Sequence, residues 1–155
     1  MNMVRDIFEI LSNQHDEIRR ALQKLACTTT ADVRVRRDEA GRLAVDVVSL
    51  NEAEADTLYS RLIEIPELEG AVEKQQNEHD EANAELRALI DMDAADEAWL
   101  KQLSKVARLI ERHLADEEDL LFPRARTYLG ESEAERLAQS FRHDQSLRKG
   151  LLKAA

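Results

Sequence analysis

In the stretch RHLADEEDLLFP, residues 112–123, His113 is followed four residues later by Glu117. Residues four apart lie on one face of a helix, so this imidazole and carboxylate point the same way. Two further histidines, His15 and His79, sit in similar segments: NQHDEIRRALQKL from Asn13 and NEHDEANAELRAL from Asn77. A second carboxylate, Glu54, lies in LNEAEADTLYSRL from Leu50. Imidazole and carboxylate without thiol form a donor set that suits iron, manganese or zinc. A single His-x-x-x-Glu pair is ordinarily a solvated ion pair, and a single core histidine is ordinarily just hydrogen-bonded. Metal chemistry follows only if the fold brings these side chains together.

The two His segments share Asn, His, Asp, Glu and two leucines in register, and each is followed by a second matching segment. Aligning Glu54 with Glu117 places Leu50 on His113, Tyr59 on Phe122 and Arg61 on Arg124. His15 and Glu54 are 39 residues apart, His79 and Glu117 38. Two paired matches at nearly equal spacing indicate a duplicated helix hairpin. Two such hairpins make one all-α, up-down four-helix bundle.

The apolar periodicity predicts helices near 3–27, 35–64, 67–90 and 96–127, with an additional C-terminal helix near 132–152. The stripe of the first helix is Val4, Phe8, Leu11, His15, Ile18, Leu22 and Leu25; that of the second is Leu43, Val47, Leu50, Glu54, Leu58 and Ile65. The third carries Leu68, Val72, Gln75, His79, Ala82, Leu86 and Leu89, and the fourth Trp99, Leu103, Val106, Ile110, His113, Glu117 and Leu121. Such stripes face a bundle core. Pro66 is expected in the first turn of the third helix. Gly130 is expected to stop the fourth, and Ser132 with Glu135 to form a capping box opening the fifth. Residues 28–34 read as the first loop. The whole chain, 1–155, reads as a single domain with a bundle core at about 3–129.

Each of the first four helices thus places a polar group on its own core face at mid-length. Isolated buried carboxylates cost several kcal/mol unless paired or bound to a cation. Three imidazoles and two carboxylates in one apolar layer compensate each other best by sharing metal ions. A ferritin-like di-iron site needs Glu three residues before His, and those positions hold Ser12, Gln76, Ile110 and Ser140. No His-Glu-x-x-His, Gly-rich phosphate loop or Ser-His-Asp arrangement is present.

The bulk properties agree. Charged residues make up 35% and apolar residues 43% of the 155, which suits a helical globular protein. The net charge of −10 disfavours nucleic acid and anionic lipid. The N-terminal MNMVRDIFEILSNQHDE meets charge before a signal-peptide apolar run can form, and no apolar run is long enough to span a bilayer. One cysteine, Cys27, permits no internal disulfide. The expectation is a cytoplasmic protein without a nucleic-acid or membrane partner.

These residues resemble the hemerythrin family, the HHE cation-binding domain, over roughly residues 3–129. The resemblance rests on the HDE openings at His15 and His79, the AEADTLY segment and HLADEEDLLFP. It implies a four-helix bundle with a non-haem di-iron centre. The family pattern has one His from the first helix, His-x-x-x-Glu from the second, His from the third, at times with another one turn earlier, and His followed by a carboxylate from the fourth. Carried over, the ligands are His15, Glu54, His79, His113 and Glu117, with the glutamates bridging. Glu118 competes with Glu117, since some members use a carboxylate five residues after the His. Two positions depart: Leu50 stands where the second helix should carry His, and Gln75 stands at the optional earlier position on the third. The His79–His113 side keeps two imidazoles and the His15 side one. Asp46, Gln75 or water are the candidate substitutes.

The resemblance implies one or two iron ions, with manganese or zinc as alternatives, and dioxygen or nitric oxide as further ligands. The function expected is non-enzymatic: oxygen, nitric oxide or iron sensing, storage or stress response. A di-iron oxidase or peroxidase-like enzyme is the second reading, and a metal-free interaction bundle the third. Tyr59 and Phe122 are expected to close the core one to two turns beyond the site. Cys27 is expected to be a buried thiol, and His143 to lie beside a Leu137, Phe141, Leu147, Leu151 stripe.

Overall fold

The structure, a computed structural model, describes residues 5–154 and contains five helical rods with no strand among the described residues. Rod α1 spans Ile7–Ala26. Rod α2 runs over Val33–Glu54, widens into a π-helical turn at Ala55–Tyr59 and ends at Ser60–Leu62. Rod α3 spans Glu69–Asp91. Rod α4 runs over Trp99–Asp116, a second π-helical turn at Glu117–Leu121 and Phe122–Arg126. Rod α5 spans Glu131–Ala154. The first four form an antiparallel bundle, and α5 packs against α1 and α2. No helix among the described residues is long and apolar enough to cross a membrane.

All stripe residues of α1 to α4 expected in the core are buried, save Val4, which lies outside the described residues as does the expected start of the first helix at residue 3. The helix ends shift for local reasons. Asp6 caps α1 by accepting the Glu9 N–H at 2.9 Å. Pro66 lies in the turn before α3, which starts at Glu69, and not in its first turn. The fourth helix starts at Trp99 because the Asp93 and Asp96 side chains accept the N–H groups of Ala95 and Ala98, at 2.9 and 2.8 Å, in local turns. Helix α5 starts at Glu131, one residue before the expected cap Ser132, with the Gly130 carbonyl accepting the Ala134 N–H at 3.0 Å.

The face of α5 also differs from expectation. Its buried residues are Ala134, Ala138, Phe141 and Gln145, while Leu147 and Leu151 are exposed. The six-residue step from Phe141 to Leu147 rotates about 600°, so Leu147 leaves the Phe141 face. Small alanines bring α5 close to α1 and α2, and Gln145 exchanges amide hydrogen bonds of 2.8 and 2.6 Å with Gln14. His143 is exposed. Cys27, expected to be buried, is exposed just after α1.

One end of the bundle is held by Arg36, which is 1% exposed. Its guanidinium donates to Thr28 Oγ1 at 2.9 Å, to the Thr28 carbonyl at 3.2 Å and to the Ala94 carbonyl at 2.9 Å. It also lies over the Trp99 ring, 4.6 Å from the centroid. One side chain thereby ties the α1–α2 loop to the α3–α4 loop. Arg36→Ala is expected to lower the unfolding free energy by about 2–4 kcal/mol, because it strands two buried carbonyls and removes packing from Trp99. Urea denaturation followed by circular dichroism measures this; a loss below about 1 kcal/mol contradicts the role.

Candidate metal centre

The four-residue spacing of α2 and α4 brings Glu54 and Glu117 into the core, and the stripes of α3 and α4 bring His79 and His113 to the same layer. These four buried residues offer ligand atoms that all lie within 4.8 Å of one another. His79 Nε2 is 3.0 Å from a Glu54 oxygen and 3.6 Å from Glu117 Oε1. His113 Nε2 touches Glu117 Oε1. The two imidazole rings meet edge-on, 4.3 Å between centroids.

Burial leaves several of these polar atoms without a hydrogen-bond partner: both Glu54 oxygens, Glu117 Oε2, His113 Nε2, and nearby His15 Nε2 and Gln75 Oε1. The close approaches of His79 to Glu54 and of His113 to Glu117 thus lack hydrogen-bond geometry. Lone pairs that face one another without bonding are arranged for a shared cation, and the donor set of imidazole nitrogen and carboxylate oxygen fits a first-row divalent ion.

Two carboxylates on the outer side hold the rings. Glu78 Oε2 lies 3.3 Å from His113 Nδ1, and Glu118 Oε2 lies 3.3 Å from His15 Nδ1. Such partners fix the tautomer and turn Nε2 inward. Glu118 is in turn held by Arg19 at 3.0 Å, and Glu78 faces Lys74 and Arg112 at 3.9 and 3.8 Å. His15 is fully buried but stands outside the group of four. The structure therefore brings Glu117, and not Glu118, to His79 and His113. Glu118 is half-buried and belongs to His15. Asp46, one of the expected substitutes for the missing imidazole, is exposed and lies 3.5 Å from Lys149. Leu50 is buried where its repeat counterpart is His113.

The π-helical turns change one expectation. Five residues after Glu54, an α-helix would point roughly 140° away. The i→i+5 turn brings position five back over position zero. Tyr59 therefore does not close the core beyond the site but enters it: its hydroxyl donates to Glu117 Oε1 at 2.8 Å and lies 3.3 Å from His79 Nε2. The Tyr59 ring stacks on His79 at 5.1 Å, and its repeat counterpart Phe122 stacks on His15 at 6.0 Å. Phenylalanine has no hydroxyl, and His15 Nε2 is among the atoms left without a partner. The Tyr59–Phe122 equivalence was the available sequence signal for Tyr59. Glu78 had only the weaker signal of standing beside His79 where Gln14 stands beside His15.

The electrostatics form one network. Burial, with the Glu117 charge, pushes Glu54 up to about 8. Burial opposes a charge on His113, but the charge and contact of Glu117 hold it up at about 10. His79 is raised against burial by Glu117 and Glu54. Glu117 is held well below its usual value despite burial, chiefly by His113. The hydrogen bond from His15, then Arg19, lowers Glu118 to about 2. Tyr59 is raised by burial and by the Glu117 charge.

A family profile described as the hemerythrin HHE cation binding domain matches residues 6–125. No curated protein and no solved structure matches the chain.

The metal-free protein should lose stability as pH rises. The Glu54 value is raised from 4.5 to about 8, so its contribution is whole below 4.5 and is lost as pH climbs through 8. That of His113 is raised from 6.5 to about 10, so its contribution is whole below 6.5 and is lost as pH climbs through 10. In the presence of chelator the melting temperature is expected to fall between pH 6.5 and 10, and Glu54→Gln to flatten the part below pH 8. A wild-type melting temperature that rises over this interval contradicts the network.

Proposed function

The chain belongs to the hemerythrin HHE cation-binding family, and on that premise we propose that Glu54, His79, His113 and Glu117 hold a non-haem iron ion, with His15 serving a second, less complete position. The protein acts in oxygen, nitric oxide or iron sensing, storage or stress response, as a binding protein and not an enzyme. The observation that carries this reading is the set of unpartnered carboxylate and imidazole atoms turned toward one another in an apolar layer. Bound iron supplies Lewis acidity and open coordination positions for a small ligand.

The chain's own residues prepare that site. Glu78 and Glu118 orient His113 and His15 with Nε2 inward. Tyr59 occupies Glu117 Oε1 and leaves Oε2 free. Leu50 and Phe122 keep the layer apolar. Helix α5 shares its buried face with α1 and α2, which supports reading residues 1–155 as one domain. The lone free cysteine supports a cytoplasmic placement. The oxidase or peroxidase-like reading gains one observation, the Tyr59 phenol on Glu117. Reoxidation of the reduced protein with and without an external reductant separates the two: turnover that continues with reductant favours the enzyme.

Metal analysis with an absorption spectrum tests the identity of the ion. Titration of the metal-free protein is expected to show one tight site and a weaker second, because Leu50 removes an imidazole on one side only. Leu50→His should raise the stoichiometry toward two; two equally tight sites in the wild type would defeat this assignment.

Iron should also stabilise the fold by mass action, by roughly 2.7 kcal/mol at free metal a hundredfold above Kd. Glu117→Ala is expected to abolish tight binding and this rise in melting temperature. Glu118→Ala should retain the tight ion and weaken only the second. Equal losses in the two variants, or curves that chelator leaves unmoved, would turn the assignment down.

A further inference from the structure

A groove of about 300 Å³ opens between α2 and α3, lined by Asn51, Glu52, Ala55, Gln76, His79, Asp80 and Asn83. Its floor is His79, a residue of the buried cluster that is only 5% exposed. The contacts of His79 with the cluster are made through Nε2, and its Nδ1 has no hydrogen-bond partner among the described residues. The other two imidazoles of the layer have carboxylates at Nδ1. His79 is thus the ring whose outer edge is left to the groove.

All the lining residues but Ala55 carry a polar or charged side chain, and none is lysine or arginine. Asp80 is exposed at its rim and has no ion-pair partner among the described residues. Glu52 is exposed too, and is paired with Arg148 at 2.7 Å. A single hydrogen bond of 3.2 Å, from the Asn51 amide to Asn83 Oδ1, joins the two helices across it. The groove between α1 and α4 has Arg19 and Arg108 in its lining and includes none of the four cluster residues.

We propose that the α2–α3 groove is the port through which a hydrated divalent cation reaches the cluster, with the unpaired carboxylate of Asp80 drawing it to the rim and His79 receiving it at the floor. Carboxamide oxygens of Asn51, Gln76 and Asn83 are the groups that exchange with its water. Rim charge acts on capture by focusing the field, so it governs the rate of loading more than the final affinity. The proposal rests on the metal-holding reading above.

The test is stopped-flow loading of the metal-free protein with Co2+, followed by its visible absorption. Asp80→Lys is expected to slow loading roughly tenfold at low ionic strength, with the difference shrinking at high salt. The final stoichiometry and spectrum should stay those of the wild type. Glu97→Lys, an equal charge change in the exposed α3–α4 loop, should leave the rate within about twofold. Asn83→Trp, which fills the groove without changing charge, should slow loading at every salt concentration. If the wild type takes up no Co2+, the metal-holding reading itself fails. If the wild type loads but Asp80→Lys and Asn83→Trp load as fast, or Glu97→Lys slows as much as Asp80→Lys, the port is elsewhere.

Discussion

Placing two carboxylates in the dry middle of a helical bundle is the constraint on which the rest of this protein depends. Glu54 and Glu117 are fully buried, and an uncompensated charge there would cost several kcal/mol. The protein meets this by surrounding Glu117 with two imidazoles and a phenol, while burial and the Glu117 charge push the Glu54 carboxyl upward, toward its neutral form. The compensation is incomplete, since oxygens of both side chains remain without hydrogen bonds. Glu78 and Glu118, with their basic neighbours, and the swapped Tyr59 and Phe122 rings are all arranged around that deficit.

Much of this was legible in the sequence. A helix stripe records its buried face at every third or fourth position, so Leu43, Val47, Leu50 and Glu54 marked the core of α2 before any coordinates. The repeat added the pairing of hairpins, and with it the position of the polar layer. Asymmetry was legible as well, because Leu50 stands against His113 in the alignment.

What escaped was whatever breaks the 3.6-residue rhythm or depends on distant partners. A π-helical turn inserts one residue without altering composition, so the inward swing of Tyr59 could not be read from spacing. Arg36 looks like one more charge in the RVRRDE run, and only the meeting of two loops explains its burial. Leucines misled the reading of α5, where Ala134 and Ala138 set the contact by being small. Cys27 stands at a position where the helix has already ended, and apolar character alone did not reveal that.

The crossing of partners between hairpins bears on the order of synthesis. Tyr59 of the first hairpin stacks on His79 of the second, and Phe122 of the second stacks on His15 of the first. Neither hairpin carries a finished polar layer. A nascent chain that has emerged only as far as α2 presents an apolar stripe interrupted by His15 and Glu54, with nothing to cover either. Transiently exposed apolar surface of this kind is prone to aggregation. The cluster is complete only after Glu117 has left the ribosome, so a chain truncated before that point lacks it however well its helices form.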